Sequence, residues 1–355
     1  MTPPEATLTP AQPAPNPGAD DATRRRRATE RSLTVALKLL RSGPVLILLL
    51  FIAVMALLSD VFLTGRNMQN LLVQSAVVAA LGIGQLAVIL TRGIDLSVGS
   101  LLALSAVVGG VVFTAGEGGA LVIATMLGVG LAAGVVNGTT LVKGRLPHPF
   151  IVTLAMLSIA RGLALVISGG TPTDGISPAV VTLGSGFVGW IPIPAIVVAS
   201  LAALAYVVLR HTQWGRWIYV VGGNPEAARR SGIPVGRILI SVYAISGLTA
   251  GIAGVLTAGR TASAFPTAGN LAELDAITAV IVGGASFSGG RGNVLNVLVG
   301  ALTIGVIRNG MNLIGVDPFW QQCVIGLVIL GAVYLDVLRG RLESRFRVMH
   351  SQEAA

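Results

Sequence analysis

Residues 71–115 read LLVQSAVVAALGIGQLAVILTRGIDLSVGSLLALSAVVGGVVFTA, and this stretch decides the class of the fold. Two long apolar runs, Leu71–Thr91 and Leu101–Ala115, flank a polar island at residues 92–100. A helix needs about 20 residues to cross the hydrocarbon core of a bilayer. Polar groups between such runs are costly unless they lie at the membrane interface or have a function. The stretch therefore indicates a chain that crosses a membrane more than once.

The composition of the 355 residues also indicates a membrane protein. Hydrophobic residues make up 53% of the chain and charged residues only 11%, against roughly 25% charged in soluble domains. The 46 glycines fit membrane helices that pack closely through small residues. The net charge of +9 comes mainly from tails and short loops, so we expect no nucleic-acid partner. Cys323, the one cysteine, cannot form an internal disulfide, and the three histidines have no metal-ligand spacing.

The apolar runs predict an all-α integral membrane protein with about ten transmembrane helices. The predicted spans are 44–63, 71–91, 96–115, 119–142, 149–169, 192–210, 238–258, 275–289, 293–314 and 318–337. The eighth is short and interrupted by glycine pairs, so it is a candidate for a broken or re-entrant segment. We expect three parts: a disordered Pro- and Arg-rich tail at 1–42, the transmembrane domain at 43–338 and a basic tail at 339–355.

The basic residues predict the orientation of the chain. With the N-terminus inside and ten crossings, most loop lysines and arginines face the cytoplasm, as the positive-inside rule requires. Both basic tails are then cytoplasmic as well. Ten spans divide into five plus five, and two halves of five would run in opposite directions, as in inverted-repeat transporters. This division rests on counting, since the sequence shows little self-similarity.

Two interpretations of the polar island remain open. Asp95 or Ser97 is a suitable N-cap for the third span, which would make the island a capped turn at the inner face. Alternatively, the island is a broken-helix element beside the transport pathway, where its polar groups and free helix-start N–H groups meet a substrate.

Other polar residues within the spans have two interpretations each. Arg161 lies in the middle of its span, so we expect either a hydrogen bond to backbone carbonyls or to a group such as Asn137, or a role in the pathway. Arg308 and Asn309 lie near the outer end of the ninth span. They either extend toward the interface or line an outer vestibule.

The predicted outer loops contain two Pro-Thr-x-Gly turns, at residues 172–175 and 266–269. Their position suits contact with an external partner protein. Glu273 and Asp275 either receive basic residues of that partner or pair with Arg260. The docking candidates are Thr173, Asp174, Thr267, Glu273 and Asp275.

Residues 224–232 predict a short, self-contained helix in the largest internal loop. Asn224 is a favourable N-cap, and Pro225 occupies the first helical position, where its missing N–H costs nothing. An acidic residue follows at the positive end of the helix dipole and two arginines lie at the negative end. Gly232 can close the helix in a left-handed conformation. A helix this short is marginal alone, so we expect it to dock a soluble partner.

At this point the chain resembles the permease subunit of bacterial ABC importers for monosaccharides, of the ribose/xylose type. The resemblance covers about residues 44–338. The matching motifs are TRGIDLSVGS (91–100), KGR (143–145) with FIVTL (150–154), GRWIY (215–219) through GGN (222–224) to SGI (231–233), PTAG (266–269), ELDAI (273–277), the glycine pairs 283–284 and 289–290, and NGMNL (309–313).

The resemblance implies a division of labour among several chains. A second permease copy, in a homodimer or a heterodimer, would complete the pathway in the bacterial inner membrane. A separate ATPase subunit would bind ATP and Mg²⁺, and a periplasmic or lipid-anchored binding protein would deliver the sugar. This chain contains no phosphate-binding loop, so we expect no enzyme activity and no cofactor on it.

The resemblance also implies roles for residues. The short helix, together with the two glycines before it, would be the ATPase-coupling helix. The residues are Gly222, Gly223, Asn224, Pro225, Glu226, Ala227, Arg229, Arg230 and Gly232. The pathway candidates are Asp95, Ser97, Asn137, Arg161, Arg308 and Asn309. The expected substrate is ribose or another pentose; another sugar, a nucleoside or an autoinducer-like molecule is the alternative.

A secondary transporter driven by H⁺ or Na⁺ is the alternative from another class. A proton-coupled carrier usually needs carboxylates well inside its spans. The deepest candidate is Asp95, and the count of spans places it at a membrane boundary, which argues against this alternative.

Overall fold

The computed structural model describes residues 43–353 apart from Asp174, and it describes no side chain for Leu335 or for residues 339–353. The predicted tail at 1–42 lies outside the described residues. Residues 42–338 form one compact unit. The elements are α1 (Gly43–Leu58), α2 (Gly65–Leu90), α3 (Val98–Thr114), α4 (Gly119–Lys143), α5 (Pro149–Ser168), α6 (Pro178–Ser185), β1 (Phe187–Val188), β2 (Ile191–Pro192), α7 (Ile193–His211), α8 (Gln213–Gly223), α9 (Pro225–Arg230), α10 (Val235–Thr261), α11 (Ala272–Val282), α12 (Val294–Leu313) and α13 (Pro318–Glu353).

The prediction of an all-α membrane protein is confirmed, and each predicted span corresponds to a helix. In the described part of the chain, seven helices are long and apolar enough to cross a membrane: α2, α4, α5, α7, α10, α12 and Pro318–Leu338 of α13. The apolar helices α1 and α3 are shorter. Helix α11 has 11 residues, which at 1.5 Å per residue give about half of a ~30 Å core. The eighth predicted span is therefore a broken segment.

Local sequence signals set the ends of several helices. Thr64 caps α2 by accepting a hydrogen bond from the Asn67 N–H, and Asn293 caps α12 by accepting from the Leu295 N–H. Pro149 starts α5 at the position where proline is favourable, and Gly169 ends it with φ of 64°. The predicted starts at 149 and 293 lie within one residue of those of α5 and α12, whereas the predicted start at 71 lies within α2, which begins at Gly65.

Burial separates an inner group of helices from an outer group. The most apolar windows of α2, α10 and α12 are 61–72% buried, whereas those of α4, α5 and α7 are 22% buried. Leu81, Leu86 and Leu101 are among the largest fully buried side chains. Many large apolar side chains on the outer helices are exposed, as on a surface that faces lipid or another membrane subunit.

The core helices form two halves that run in opposite directions. Helix α2 ends beside the last residues of α8, whereas α10 begins just after α9, so the two long helices are antiparallel. Each is followed by a loop and a short helix, α3 and α11 respectively. The contacts correspond as well: α10 packs on α3 and α4, and α2 packs on α11 and α12. This arrangement agrees with the two inverted halves inferred from the number of spans.

Glycines bring α4 and α10 into backbone contact. A Cβ added at Gly130 would overlap the carbonyl of Gly247, and a Cβ at Gly247 would overlap the carbonyl of Gly130. One turn further along, Gly134 meets the Tyr243 carbonyl in the same way. Small residues at such a crossing allow the helix backbones to approach closely. Close packing is important here because the hydrophobic driving force between helices is weak in lipid.

Candidate functional site

The loop between α2 and α3, residues 91–97, begins with the exposed Arg92 and then enters the helix bundle. Asp95 and Ser97 are fully buried, and Thr91 is 7% exposed. Ser97 occupies the N-cap position of α3 but makes no capping hydrogen bond; instead, Asp95 Oδ1 accepts from the Ser97 N–H at 3.0 Å. Of the two expected caps, Asp95 rather than Ser97 binds a backbone N–H at the start of α3. The loop is also a broken-helix element: Arg92 is exposed, whereas Asp95 and Ser97 are enclosed by neighbouring helices, a placement decided by packing rather than by hydropathy.

Asp95 is the centre of a polar cluster that joins α2, α3, α4 and α10. Its Oδ1 accepts from Ser97 Oγ at 2.6 Å, and its Oδ2 accepts from Ser246 Oγ at 2.8 Å. Asn137 Nδ2 donates to Ser97 Oγ at 2.9 Å. With its amide oriented to satisfy both partners, Gln85 pairs with the backbone N–H and C=O of Asp95 at 3.1 and 3.2 Å. Such a cluster rigidifies a core because every broken bond would leave a buried polar group.

Two polar atoms at this cluster have no hydrogen-bond partner in the described part of the chain: Asn137 Oδ1 and the Tyr243 hydroxyl. Tyr243 is 1% exposed, and a Cβ added at Gly93 would lie 2.5 Å from its hydroxyl oxygen. Tyr243 also lines a cavity of about 630 Å³ at the α9 end of the bundle. The Tyr243 hydroxyl itself is buried, so in this conformation it lies behind the cavity wall without a partner.

The second broken element is the loop of residues 262–271 with the short helix α11. Arg161 Nη1 donates to the Pro266 carbonyl at 2.7 Å and to the Ala268 carbonyl at 2.9 Å. The predicted hydrogen bond to backbone carbonyls is therefore confirmed. The suggested partner Asn137 is wrong, since its amide bonds Ser97. Arg161 holds the loop against α5.

Glu273 and Asp275 lie in the first turn of α11 and are 8% and 6% exposed. Their predicted exposure on the outer surface is wrong, because the loop after α10 turns back into the bundle. Asp275 pairs with Arg308 at 2.8 Å, and neither carboxylate forms an ion pair with Arg260 in the described residues. Both acids therefore belong to the interior, where they complement the positive end of the α11 dipole.

Arg308 and Asn309, near the C-terminal end of α12, have specific partners. The Arg308 side chain is 33% exposed and its guanidinium is bound to the Asp275 carboxylate, so it does not extend freely to the interface. Asn309 is 4% exposed and exchanges two hydrogen bonds of 2.9 Å with Asn67 of α2. In this conformation, Asn309 does not line an open vestibule.

Of the two Pro-Thr-x-Gly loops, one is tied to the chain that follows α10. The Thr173 N–H donates to the Ala264 carbonyl at 2.9 Å, and Ser263 Oγ donates to the Thr173 carbonyl at 2.6 Å. Thr267 is exposed. Asp174 lies outside the described residues. Among the docking candidates whose side chains are described, only Thr267 is exposed.

The short helix has the predicted local structure. Asn224 Oδ1 accepts from the N–H groups of residues 226 and 227 at 3.1 and 3.0 Å. Glu226 pairs with both arginines of the last turn, at 3.7 and 3.3 Å. Gly232 has φ of 79°, and the Ile233 N–H donates to the Ala228 carbonyl, which completes a Schellman closure. Glu226, Ala227, Arg229 and Arg230 are exposed, so the helix presents a charged surface at the end of the bundle.

The two glycines before the helix differ in their surroundings. Gly222 is buried, and a Cβ there would overlap the Leu90 carbonyl at the end of α2. Gly223 is exposed, with no neighbouring atom near its Cβ position. Both carbonyls accept hydrogen bonds from Arg92. The helix is thus joined to the first broken element.

Sequence reasoning missed four residues of this arrangement: Gln85, Arg92, Tyr243 and Ser246. Gln85 is a lone amide in an apolar run, which is a detectable signal for a buried partner. Arg92 is one of the basic loop residues that the positive-inside rule assigns to the cytoplasmic face, and that rule predicts no partner for it. Ser246 and Tyr243 carry no such signal, because small hydroxyls and tyrosines are common in membrane helices.

Comparison with known proteins identifies the family. Residues 67–333 match the family described as branched-chain amino acid transport system / permease component. The ribose import permease of Escherichia coli K12 is 40% identical over 306 residues, which cover 84% of this chain and 94% of that protein. The corresponding permease of Bacillus subtilis is 43% identical over 296 residues, covering 83% and 92%.

A permease for a different sugar is nearly as similar. The D-allose transport system permease of Escherichia coli is 41% identical over 300 residues, covering 83% of this chain and 91% of that protein. No solved structure matches this chain. The apolar helices place the chain in the membrane as a multi-pass protein. The chain belongs to the branched-chain amino acid transport system / permease component family and, within it, to the membrane permeases of ABC importers for monosaccharides.

Proposed function

We propose that this chain forms the membrane pathway through which an ABC importer brings ribose into the bacterial cytoplasm. The observation that carries this proposal is the 40–43% identity to ribose import permeases of two distant bacteria, over more than nine-tenths of their length. The chain itself is a transport subunit, and ATP with Mg²⁺ is bound and hydrolysed on a partner ATPase. A sugar-binding protein supplies the substrate from outside.

The exposed helix α9 is the contact that the ATPase uses. It is capped at both ends, and its charged residues carry few contacts within the chain beyond their own ion pairs. A short rigid helix on a membrane subunit transmits the closing movement of a soluble domain as a lever. The α9 end therefore faces the cytoplasm, and the α6 end faces the binding protein, with exposed Thr267 as a docking candidate. Two copies of the chain form the complete pathway; pairing with a related permease is the alternative.

The positions of the carboxylates do not exclude an ion-driven carrier. Asp95, Glu273 and Asp275 are all buried inside the bundle, so the premise that no carboxylate lies deep is wrong. Two of these acids have defined partners: Asp95 is bonded by serines, and Asp275 by Arg308. The family relationship, rather than the depth of the carboxylates, supports ATP-driven import.

Reconstitution tests the function directly. The permease is placed in proteoliposomes with its ATPase, the binding protein is added outside, and uptake of radiolabelled ribose is followed with ATP or a non-hydrolysable analogue inside. ATP-dependent uptake that survives a protonophore is expected. Uptake that needs a proton or sodium gradient instead of ATP would sink the proposal.

A hexose is the second candidate substrate, because the D-allose permease is 41% identical to this chain. Competition by unlabelled allose, fructose and galactose in the same assay separates the two. If ribose uptake is absent and a hexose is transported, the assignment of ribose is wrong while the import function stands.

Single-cysteine labelling tests the orientation. The exposed native cysteine is first removed by Cys323→Ser. In intact cells, Glu117→Cys in the loop after α3 is expected to react with a membrane-impermeant maleimide. Ala227→Cys in α9 is expected to react only after permeabilisation. The reverse pattern would place α9 outside and remove its proposed role.

A further inference from the structure

Arg92 binds the end of helix α8 with two hydrogen bonds. Its Nε donates to the Gly222 carbonyl at 2.6 Å, and its Nη2 donates to the Gly223 carbonyl at 2.5 Å. These are carbonyls of the last turn of α8, where the helix dipole is negative and the cation is favourable. Arg92 itself adopts a left-handed conformation, with φ of 66°. A non-glycine residue is strained there, so the surrounding contacts must hold it in place.

The contact is part of a larger junction among three segments. The Gly290 N–H, in the loop between α11 and α12, donates to the Leu90 carbonyl at 2.9 Å. A Cβ at Gly289 would lie 2.5 Å from Arg92 Cγ, and one at Gly222 would overlap the Leu90 carbonyl. The end of α2, the end of α8 and the α11–α12 loop therefore touch with no room for additional atoms.

The junction lies between the exposed helix and the buried cluster. On one side, Gly223 is followed directly by Asn224, whose side chain caps α9. On the other side, Arg92 lies three residues before Asp95, the centre of the polar cluster. The two charge-assisted hydrogen bonds of Arg92 therefore link α9 to the first broken element. On one side a single peptide bond connects Gly223 to the cap of α9, and on the other side Arg92 belongs to the same loop as Asp95.

We infer that Arg92 transmits the movement of α9 to the broken element of residues 91–97 and so couples ATP hydrolysis to opening of the pathway. This inference rests on the proposed importer function. A guanidinium suits the task because its planar fork can hold two carbonyls at once. A displacement of α8 and α9 then moves Arg92, and Arg92 is covalently continuous with the loop that carries Asp95.

The test compares transport with ATP consumption in the reconstituted complex of permease, ATPase and sugar-loaded binding protein. For Arg92→Gln, the ATPase is expected to stay bound and to retain at least half of its stimulated activity. Sugar uptake is expected to fall roughly tenfold, since charge-assisted hydrogen bonds are lost. The ratio of ATP hydrolysed per sugar therefore rises by a similar factor. Arg92→Lys is expected to fall between the wild type and Arg92→Gln, because one ammonium group does not match the two-carbonyl fork.

The matched control is Arg145→Gln. Arg145 is also an arginine with positive φ, 50°, at the same end of the bundle, but it makes no hydrogen bond to α8 in the described residues. Its ratio of ATP to sugar is expected to stay within twofold of the wild type. Gly222→Ala attacks the same junction from the α8 side and is expected to raise the ratio as Arg92→Gln does. This second variant keeps the inference testable if Arg92→Gln does not fold.

Several outcomes would overturn the inference. They are unchanged coupling in Arg92→Gln, a parallel loss of ATPase binding and transport, and the same uncoupling in Arg145→Gln. A wild-type complex that hydrolyses ATP but imports no sugar would instead refute the proposed function.

Discussion

Glu273, in the first turn of α11, lies directly against Gly99 in the first turn of α3. A Cβ added at Gly99 would overlap both the Glu273 carboxylate and the Gly269 carbonyl. The two broken elements, which come from opposite halves of the chain, therefore meet at their helix N-termini. A carboxylate at this place is favourable because both helix dipoles are positive there.

Replacing Gly99 tests how closely the two elements must approach. Gly99→Ala is expected to destabilise the protein by about 1–3 kcal/mol, as overpacking of a tight core does. A lower melting temperature of the detergent-solubilised permease measures this. The control is Gly162→Ala on α5, where a Cβ has open space and the cost is expected to be negligible. Equal melting temperatures for the two variants would contradict the close contact.

The Arg308–Asp275 ion pair is expected to be coupled strongly. Arg308→Leu leaves the largely buried Asp275 without its partner, and breaking such a pair costs about 3–5 kcal/mol. The double variant Arg308→Leu/Asp275→Asn removes the uncompensated charge, so we expect it to be more stable than the single one. A thermal-unfolding double-mutant cycle measures the interaction. Additive effects would mean that the pair does not interact. As a control, Glu226→Gln in the exposed ion pairs of α9 is expected to cost less than about 1 kcal/mol.

The N-cap of α9 is expected to control the affinity for the ATPase. Asn224→Ala removes the acceptor for two backbone N–H groups and destabilises the helix by about 1 kcal/mol. Because α9 must then be ordered on binding, the affinity for the ATPase, measured by titration of the purified partners, should fall several-fold. Asn224→Asp keeps the capping oxygen and should bind like the wild type. If both variants bind equally, the capped helix is not the contact that determines affinity.

Asp95 is expected to act as a scaffold for the core rather than as a direct ligand of the sugar. Asp95→Asn leaves a donor amide facing one of two serine hydroxyls, and a lost bond to a charged group costs about 1.5–3 kcal/mol. The melting temperature should fall. The sugar concentration that gives half-maximal uptake should stay within about twofold of the wild-type value, because no contact with the sugar is removed. A large change in that concentration without loss of stability would place Asp95 in the pathway. Ser246→Ala should follow the same pattern with a smaller effect.

Features that depend on neighbouring residues in the chain can be predicted from this sequence, whereas contacts between residues far apart in the chain cannot. The capped helix after Gly223 follows from the order of residues alone, because an N-cap, a first-turn proline, end charges and a closing glycine all act within one or two turns. The positions of the ten apolar helices likewise follow from runs of hydropathy, since the bilayer rewards continuous apolar length. The family motifs are linear as well, and they identify the class of transporter.

The site depended on contacts between residues that are far apart in the chain. Hydropathy counting placed Asp95, Glu273 and Asp275 at the membrane surfaces, because it treats each span as a complete crossing. In the tertiary structure, α3 and α11 are short, and the loops before them turn into the bundle, where Ser246 and Arg308 supply partners for the acids. No local signal pairs Arg92 with the carbonyls of α8, which lie 130 and 131 residues away.

The amino-acid sequence by itself determined the membrane class, the helices, the short capped helix and the family, since each depends on patterns within a few turns of helix. Only the tertiary structure decided that Asp95 and Ser97 are enclosed, that Glu273 meets Gly99 and that Arg92 joins α8 to the island. The physical reason is that a buried polar group is stable only with its partners, and those partners are brought together by folding rather than by their order in the chain.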